Sequence, residues 1–347
     1  MGAVPEIFED GVFDDDAPVR PSRPATIIHR RFQIRMMASA IVRQGVPIDK
    51  IISLADLVEL ENFQRGIQFL MDRHDDTVTE AVFTLATGIK SIARYQVKVG
   101  DHHLERLKRL CSRLDQKAGR HRKKNKDRLA QFDDRHNLSR LLAIPNWLIQ
   151  KAKDPGPKPR SSALLIQSAV AIETLLFCPM RIGNLASLDI DQHLRWVKHG
   201  REQRLLITIP GEQVKNGTPL YYELSGPSAE IMRHYIDEVR PSLSNTPCTA
   251  LFPKLDGKTK NPGELSNQIK RHIFAETGLT VNAHLFRSLA SKIHNLVHAG
   301  DAATISHVLG DRMATVMKAY SQFEQKSALD TYQSSVNAVR GRGKAAA

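Results

Sequence analysis

Ala283-His284-Leu285-Phe286-Arg287 is the densest run of chemistry in the chain. His284 and Arg287 are three residues apart, so on a helix they share a face, with Leu285 and Leu289 packing behind them. Downstream comes Val308-Leu309-Gly310-Asp311, where Gly310 suits the left-handed turn that closes a helix. Tyr320 then lies in another helix-like stretch, thirty-three residues after Arg287. Upstream, residues 161–177 read as a strongly apolar helix ended by Cys178-Pro179, and Arg181 follows at once in Pro179-Met180-Arg181-Ile182-Gly183-Asn184-Leu185. Two β signals come next, RLLITI at 204–209 and TPLYYEL at 218–224. Between them lies Lys215-Asn216-Gly217, where Asn-Gly is a hairpin signal. From residue 227 the pattern is helical again to about 340, and 341–347 reads as a frayed end. The expected class is mainly α with a small antiparallel β-sheet, an α+β domain over 133–340 that begins with a helix interrupted near Pro145.

The N-terminal half has a different texture. Residues 1–27 are rich in Asp, Pro and Gly without apolar period and read as a disordered acidic tail. Residues 28–118 carry Ile34, Met37, Ala38 and Ile41 on one helical face, a second stripe of Leu57, Leu60, Phe63, Ile67 and Leu70, a third apolar segment with Ala81, Phe83, Leu85, Ile89 and Ile92, and a fourth stripe of Leu104, Leu107, Leu110 and Leu114. They predict an all-α domain of about four helices. A basic stretch over 119–132 follows, with Arg120, Arg122, Lys123, Lys124 and Lys126. Such a run between two domains suits a linker that crosses a nucleic-acid backbone, because phosphate contacts need such charges and little else.

Composition narrows the partners. A net charge of +13 over 347 residues, with a sequence pI near 9.7, favours a polyanion. No apolar run reads as a transmembrane span, and the acidic N-terminus fits neither a signal nor a transit peptide. The expected setting is therefore cytoplasmic, with no membrane partner. Cys111, Cys178 and Cys248 are far apart and lack metal-ligand spacing, so buried or free thiols are expected, with no metal and no cofactor.

The spaced residues together resemble the tyrosine recombinase, or phage integrase, family over roughly residues 135–335. The family pattern has an arginine in a helix–turn, a lysine on a β-hairpin, H-x-x-R, a histidine or tryptophan after Leu-Gly, and a tyrosine nine residues later. Here these positions hold Arg181, Lys215, His284 with Arg287, Asp311, and Tyr320. Around Arg181, Cys-Pro replaces the usual Thr-Gly and Asn184 the usual Glu. The resemblance implies a helical DNA-binding domain joined to a recombinase catalytic domain, closing as a clamp on duplex DNA. It implies Arg181 and Arg287 as phosphate clamps, His284 as a proton-handling group, Lys215 as general acid (with Lys198, Arg201 and Arg204 as nearby alternatives) and Tyr320 as nucleophile (with Tyr332 as the fallback), forming a 3′-phosphotyrosine intermediate. It also implies double-stranded DNA as partner, a homotetramer on two DNA sites, and a nucleoid-associated bacterial or phage setting.

One position departs from the pattern. Asp311 stands where the family has its second histidine, and after Gly310 it suits a helix N-cap. An ionised carboxylate cannot donate to a phosphate, so His307, one turn earlier, is a candidate for the missing donor. Two rival readings follow: a DNA-binding protein of the same fold that no longer cuts, and a type IB topoisomerase-like relaxing enzyme.

Overall fold

The computed structural model describes residues 24–118, 123–154, 156, 158–298, 301–311, 313 and 316. These fall into two compact units that divide between Lys124 and Asn125.

The first unit is helical: α1 (Pro24–Arg43), a short α2 (Leu54–Val58), α3 (Leu60–Asp72), α4 (Glu80–Tyr95) and α5 (Asp101–Ala118). The first helix is described from Pro24, inside the segment expected to be a tail. The second stripe divides at Glu59, whose extended backbone (φ −54°, ψ 137°) separates α2 from α3. In the third, Val82 is buried and Ala81 is exposed. The core joins Met37 and Ile41 of α1, Phe63 and Ile67 of α3, Leu85 and Ile89 of α4, and Leu107 and Cys111 of α5.

The unit boundary falls within α6 (Lys123–Ala130), and the second unit continues with α7 (Arg135–Lys153) and α8 (Pro159–Phe177). Pro145 does not interrupt α7, contrary to expectation. It lies buried among Leu141, Ile144 and Leu148, on a face packed against α8, and that packing offsets the one backbone hydrogen bond a helical proline removes. The α8 helix is also long and apolar enough, by length and composition, to cross a membrane, which the sequence reading did not register. Its Ala169, Val170, Ala171, Ile172 and Leu175 are fully buried in the core of this unit.

Short helices α9 (Ile182–Ala186) and α10 (Ile190–His193) lead into an antiparallel sheet of β1 (Leu194–His199), β2 (Glu202–Ile209) and β3 (Leu220–Leu224), in that order. The strand β1 has no counterpart among the sequence-read strands, because its charged residues Arg195 and Lys198 obscure the alternation. The tight hairpin is β1–β2: His199 pairs with Glu202 across Gly200 (φ +61°) and Arg201. The Asn216-Gly217 pair is therefore not a two-residue hairpin turn. It lies in the longer β2–β3 connection, which opens with a single 3-10 turn at Gly211–Gln213. Helices α11 (Gly226–His234), α12 (Pro262–Thr277), α13 (Leu285–Val297) and α14 (Ala302–Leu309) complete the unit. Asn261 and Glu264 form a capping box at the start of α12, and Gly278 (φ +70°) closes it. The fold is thus mainly α with one small antiparallel sheet.

Candidate active site

Arg181 is the N-cap of α9, in extended conformation just past the buried end of α8. Cys178 at that end is fully buried, and burial pushes its thiol up to about 12, so it is an inert packing group. Arg287 lies in the first turn of α13, beside His284, the N-cap of that helix. Asn282 Oδ1 accepts from the Leu285 N–H at 2.9 Å and so fixes where α13 begins.

The two arginines converge on one carboxylate. Arg181 Nη2 donates to Asp311 Oδ1 at 2.5 Å, and Arg287 Nη2 donates to Asp311 Oδ2. Arg287 is further pinned by bonds to Pro179 O at 2.8 Å and Leu309 O at 2.9 Å. The side chains are 25% exposed for Arg181, 17% for Asp311 and 6% for Arg287, so Arg181 is the arm open to a ligand. Among the described residues Arg181 Nη1, itself shielded from solvent, has no hydrogen-bond partner. Asp311 was expected to cap a helix, and the residues it would cap lie mostly outside the described ones. Its oxygens instead meet the two guanidinium groups, because Gly310 (φ +57°) turns the chain back toward them. The positive φ of Gly310 is what favours glycine there; a Cβ would also lie 2.3 Å from Leu220 Cδ2 and require that side-chain tip to shift.

His284 lies at the surface of this cluster. Partial burial, then the charges of Arg287 and Arg181, hold its pKa below the ordinary imidazole range, with Asp311 pulling the other way. The ring is therefore neutral at pH 7 and can accept a proton. Lys215 is exposed on the β2–β3 connection, close enough for its charge to act on His284. His307 is exposed on α14 and, among the described residues, makes no side-chain bond to Arg181, Arg287 or Asp311. Tyr320, Arg120 and Arg122 lie outside the described residues, and for Lys123, Lys124 and Lys126 only the backbone of α6 is described.

Two residues that the sequence reading passed over border the site. Tyr222 on β3 donates its hydroxyl to Val308 O at 3.0 Å, and burial pushes its phenol well above the usual range. Asn216, beside Lys215, donates Nδ2 to Gly310 O. Nothing in the sequence marks Tyr222 as other than a strand residue, and Asn216 reads in sequence only as a turn former.

The description "Phage integrase family" matches residues 146–326, a span that holds all six candidate positions from Arg181 to Tyr320. Among solved structures, a lambda integrase (75–356) dimer bound to a COC′ core site is similar at TM-score 0.50 and 11% identity, covering 86% of this chain and 89% of that one. The XerH site-specific recombinase, in a post-cleavage complex with a palindromic difH substrate, gives TM-score 0.43 and 17% identity, covering 56% of this chain. That match spans only 51% of the XerH chain. The XerA recombinase gives TM-score 0.37 and 13% identity, covering 90% of this chain and 92% of that one. No curated protein matches the chain. The family match takes in just over half of the residues and every element that builds the arginine pair, and on that span the chain belongs to the phage integrase family.

Proposed function

We propose that this protein cuts and rejoins duplex DNA through a 3′-phosphotyrosine intermediate, as a site-specific recombinase or integrase. The observation that carries the reading is the convergence of Arg181 and Arg287, with neutral His284 beside them and Lys215 near enough to act on that ring. Two guanidinium groups suit the two non-bridging oxygens of a phosphodiester, where charge grows in the transition state. In the proposed step the Tyr320 oxygen attacks phosphorus and the phenolic proton leaves to His284 or solvent. The bond to the 5′ oxygen breaks, and that oxygen takes a proton from Lys215. A second DNA end then attacks the phosphotyrosine with its free 5′-hydroxyl. The bond energy is conserved in the protein–DNA link, so the scheme needs no nucleotide. Four protomers on two DNA sites and a cytoplasmic, nucleoid-associated setting go with this reading.

The test is a covalent protein–DNA adduct on a suicide duplex, seen on denaturing gels and mapped to its nucleotide. Recombinant product from two sites supports a recombinase; relaxation of supercoils without it moves the protein to the topoisomerase-like reading; no adduct on any duplex leaves a DNA-binding protein of this fold.

The basic run has its own expected result. Neutralising Arg122, Lys123, Lys124 and Lys126 together weakens binding to all duplexes. It also lowers the salt slope by up to about 0.9 per lost phosphate contact. Unchanged affinity and slope would make the run a solvated face.

Asp311 gives a sharper result. Asp311→Ala frees both guanidinium groups and slows single-turnover cleavage strongly at unchanged DNA affinity, with a stability loss of about 1–3 kcal/mol. Asp311→His behaves alike, because a histidine there adds a donor but removes the anion that aligns both arginines. Faster cleavage in Asp311→Ala would mean that the carboxylate competes with the phosphate instead of ordering its clamp.

A further inference from the structure

The end of α14 is held by three side chains from three other elements. A helix leaves its last carbonyls without intrahelical partners. Here Val308 O accepts from Tyr222 of β3 at 3.0 Å, Leu309 O from Arg287 of α13 at 2.9 Å, and Gly310 O from Asn216 of the β2–β3 connection. The next residue, Asp311, joins the two arginines. One helix end therefore collects the strand, the turn and the clamp.

Lys215 needs such a collector. Its side chain is long and exposed, and among the described residues its ammonium has no hydrogen-bond or ion-pair partner. The base of its connection is tied down, since Gln213 Oε1 is 2.8 Å from His193 Nε2. At residues 215–218, among the described residues, Asn216 supplies the one side-chain bond out of the connection. The amide oxygen of Asn216, Oδ1, is shielded from solvent and, among the described residues, has no partner, so the amide makes this contact at a cost in desolvation. A general acid held loosely loses much of its effect, because proton transfer needs the donor within hydrogen-bond reach of the leaving atom.

We infer that Asn216 is a positioning residue for Lys215: it clasps the lysine turn to the helix end that holds Arg287, and so sets the reach of the acid relative to the clamp. This rests on the strand-transfer reading above.

The experiment compares two suicide duplexes, one with the natural 5′ oxygen at the scissile bond and one with sulfur in its place. With oxygen, the P–O bond breaks and the 5′ oxygen takes a proton. With sulfur, the P–S bond breaks and the thiolate leaves unprotonated, so the acid is not needed. Asn216→Ala is expected to cleave the oxygen duplex about 10- to 100-fold more slowly, a part of the full effect of a general acid. It should cleave the sulfur duplex at the wild-type rate, with DNA affinity unchanged. Lys215→Ala shows the same pattern with a larger loss, and Arg287→Ala is not rescued by sulfur. Asn216→Asp keeps the side-chain size and removes the donated bond, so it answers the question if the alanine variant melts early. An Asn216 defect that persists on sulfur, or no defect on oxygen, overturns the inference alone. A Lys215→Ala defect that sulfur does not rescue overturns it through the role of the lysine. Wild-type protein that forms no adduct with either duplex overturns the strand-transfer reading, and the inference with it.

Discussion

Tyr320→Phe is expected to abolish the covalent protein–DNA adduct while DNA affinity stays within a few-fold. Removing the phenolic oxygen removes the only atom through which this side chain can bond to phosphorus, so the loss is complete and not graded. Affinity changes little because it is the sum of many phosphate contacts, of which one hydroxyl is a small part. The adduct of the wild-type protein should form equally in EDTA, since the proposed step uses side chains alone. Tyr222→Phe is the informative control. Tyr222 is the tyrosine that the arginine charges reach among the described residues, yet its hydroxyl is donated to Val308 O and burial opposes its ionisation. That variant should keep the adduct. Tyr332 lies too far from Gly310 for the pattern, and an adduct that persists in Tyr320→Phe but vanishes in Tyr332→Phe would move the nucleophile there.

Arg181→Ala and Arg287→Ala should each lower single-turnover cleavage far more than binding. One donor aimed at growing transition-state charge is worth roughly 100- to 1,000-fold in rate. The two variants should differ in stability. Arg181 is partly open and its main partner is Asp311, so its loss leaves the melting temperature nearly unchanged. Arg287 is almost fully enclosed and also bonds to Pro179 O and Leu309 O, so its loss orphans two buried carbonyls and lowers melting clearly. Arg287→Lys should not restore the rate, because an ammonium cannot reproduce a planar fork that reaches two carbonyls and a carboxylate. Equal losses in binding and cleavage would reduce both arginines to DNA-positioning groups.

Much of the architecture was legible because its signals are local. The helical stripes of the first unit, the apolar α8, the strands β2 and β3 and the left-handed Gly310 each depend on periodicity or on one residue's allowed backbone, which neighbours in sequence determine. The same holds for the His284–Arg287 pair, placed on one face by its spacing. Where local signals competed with packing, the reading failed. Pro145 marked a break that burial against α8 overrode, and charged β1 concealed a strand that pairing with β2 makes.

The sequence by itself determined which residue types the proposed reaction would bring to a phosphate: two arginines, a lysine, a histidine and a tyrosine at family spacing. Only the tertiary structure decided what Asp311 and Asn216 do. Asp311 meets Arg181 from 130 positions away, and Asn216 reaches Gly310 across 94. The preference of an Asp after a helix-closing glycine is for a cap, and that of an Asn-Gly pair is for a turn. Those preferences are worth about a kilocalorie each, whereas a carboxylate placed between two partly enclosed guanidinium groups, or an amide facing an unpaired helix-end carbonyl, makes a stronger bond. Such bonds exist only once the chain has folded and brought distant partners together, so no window of sequence carries them.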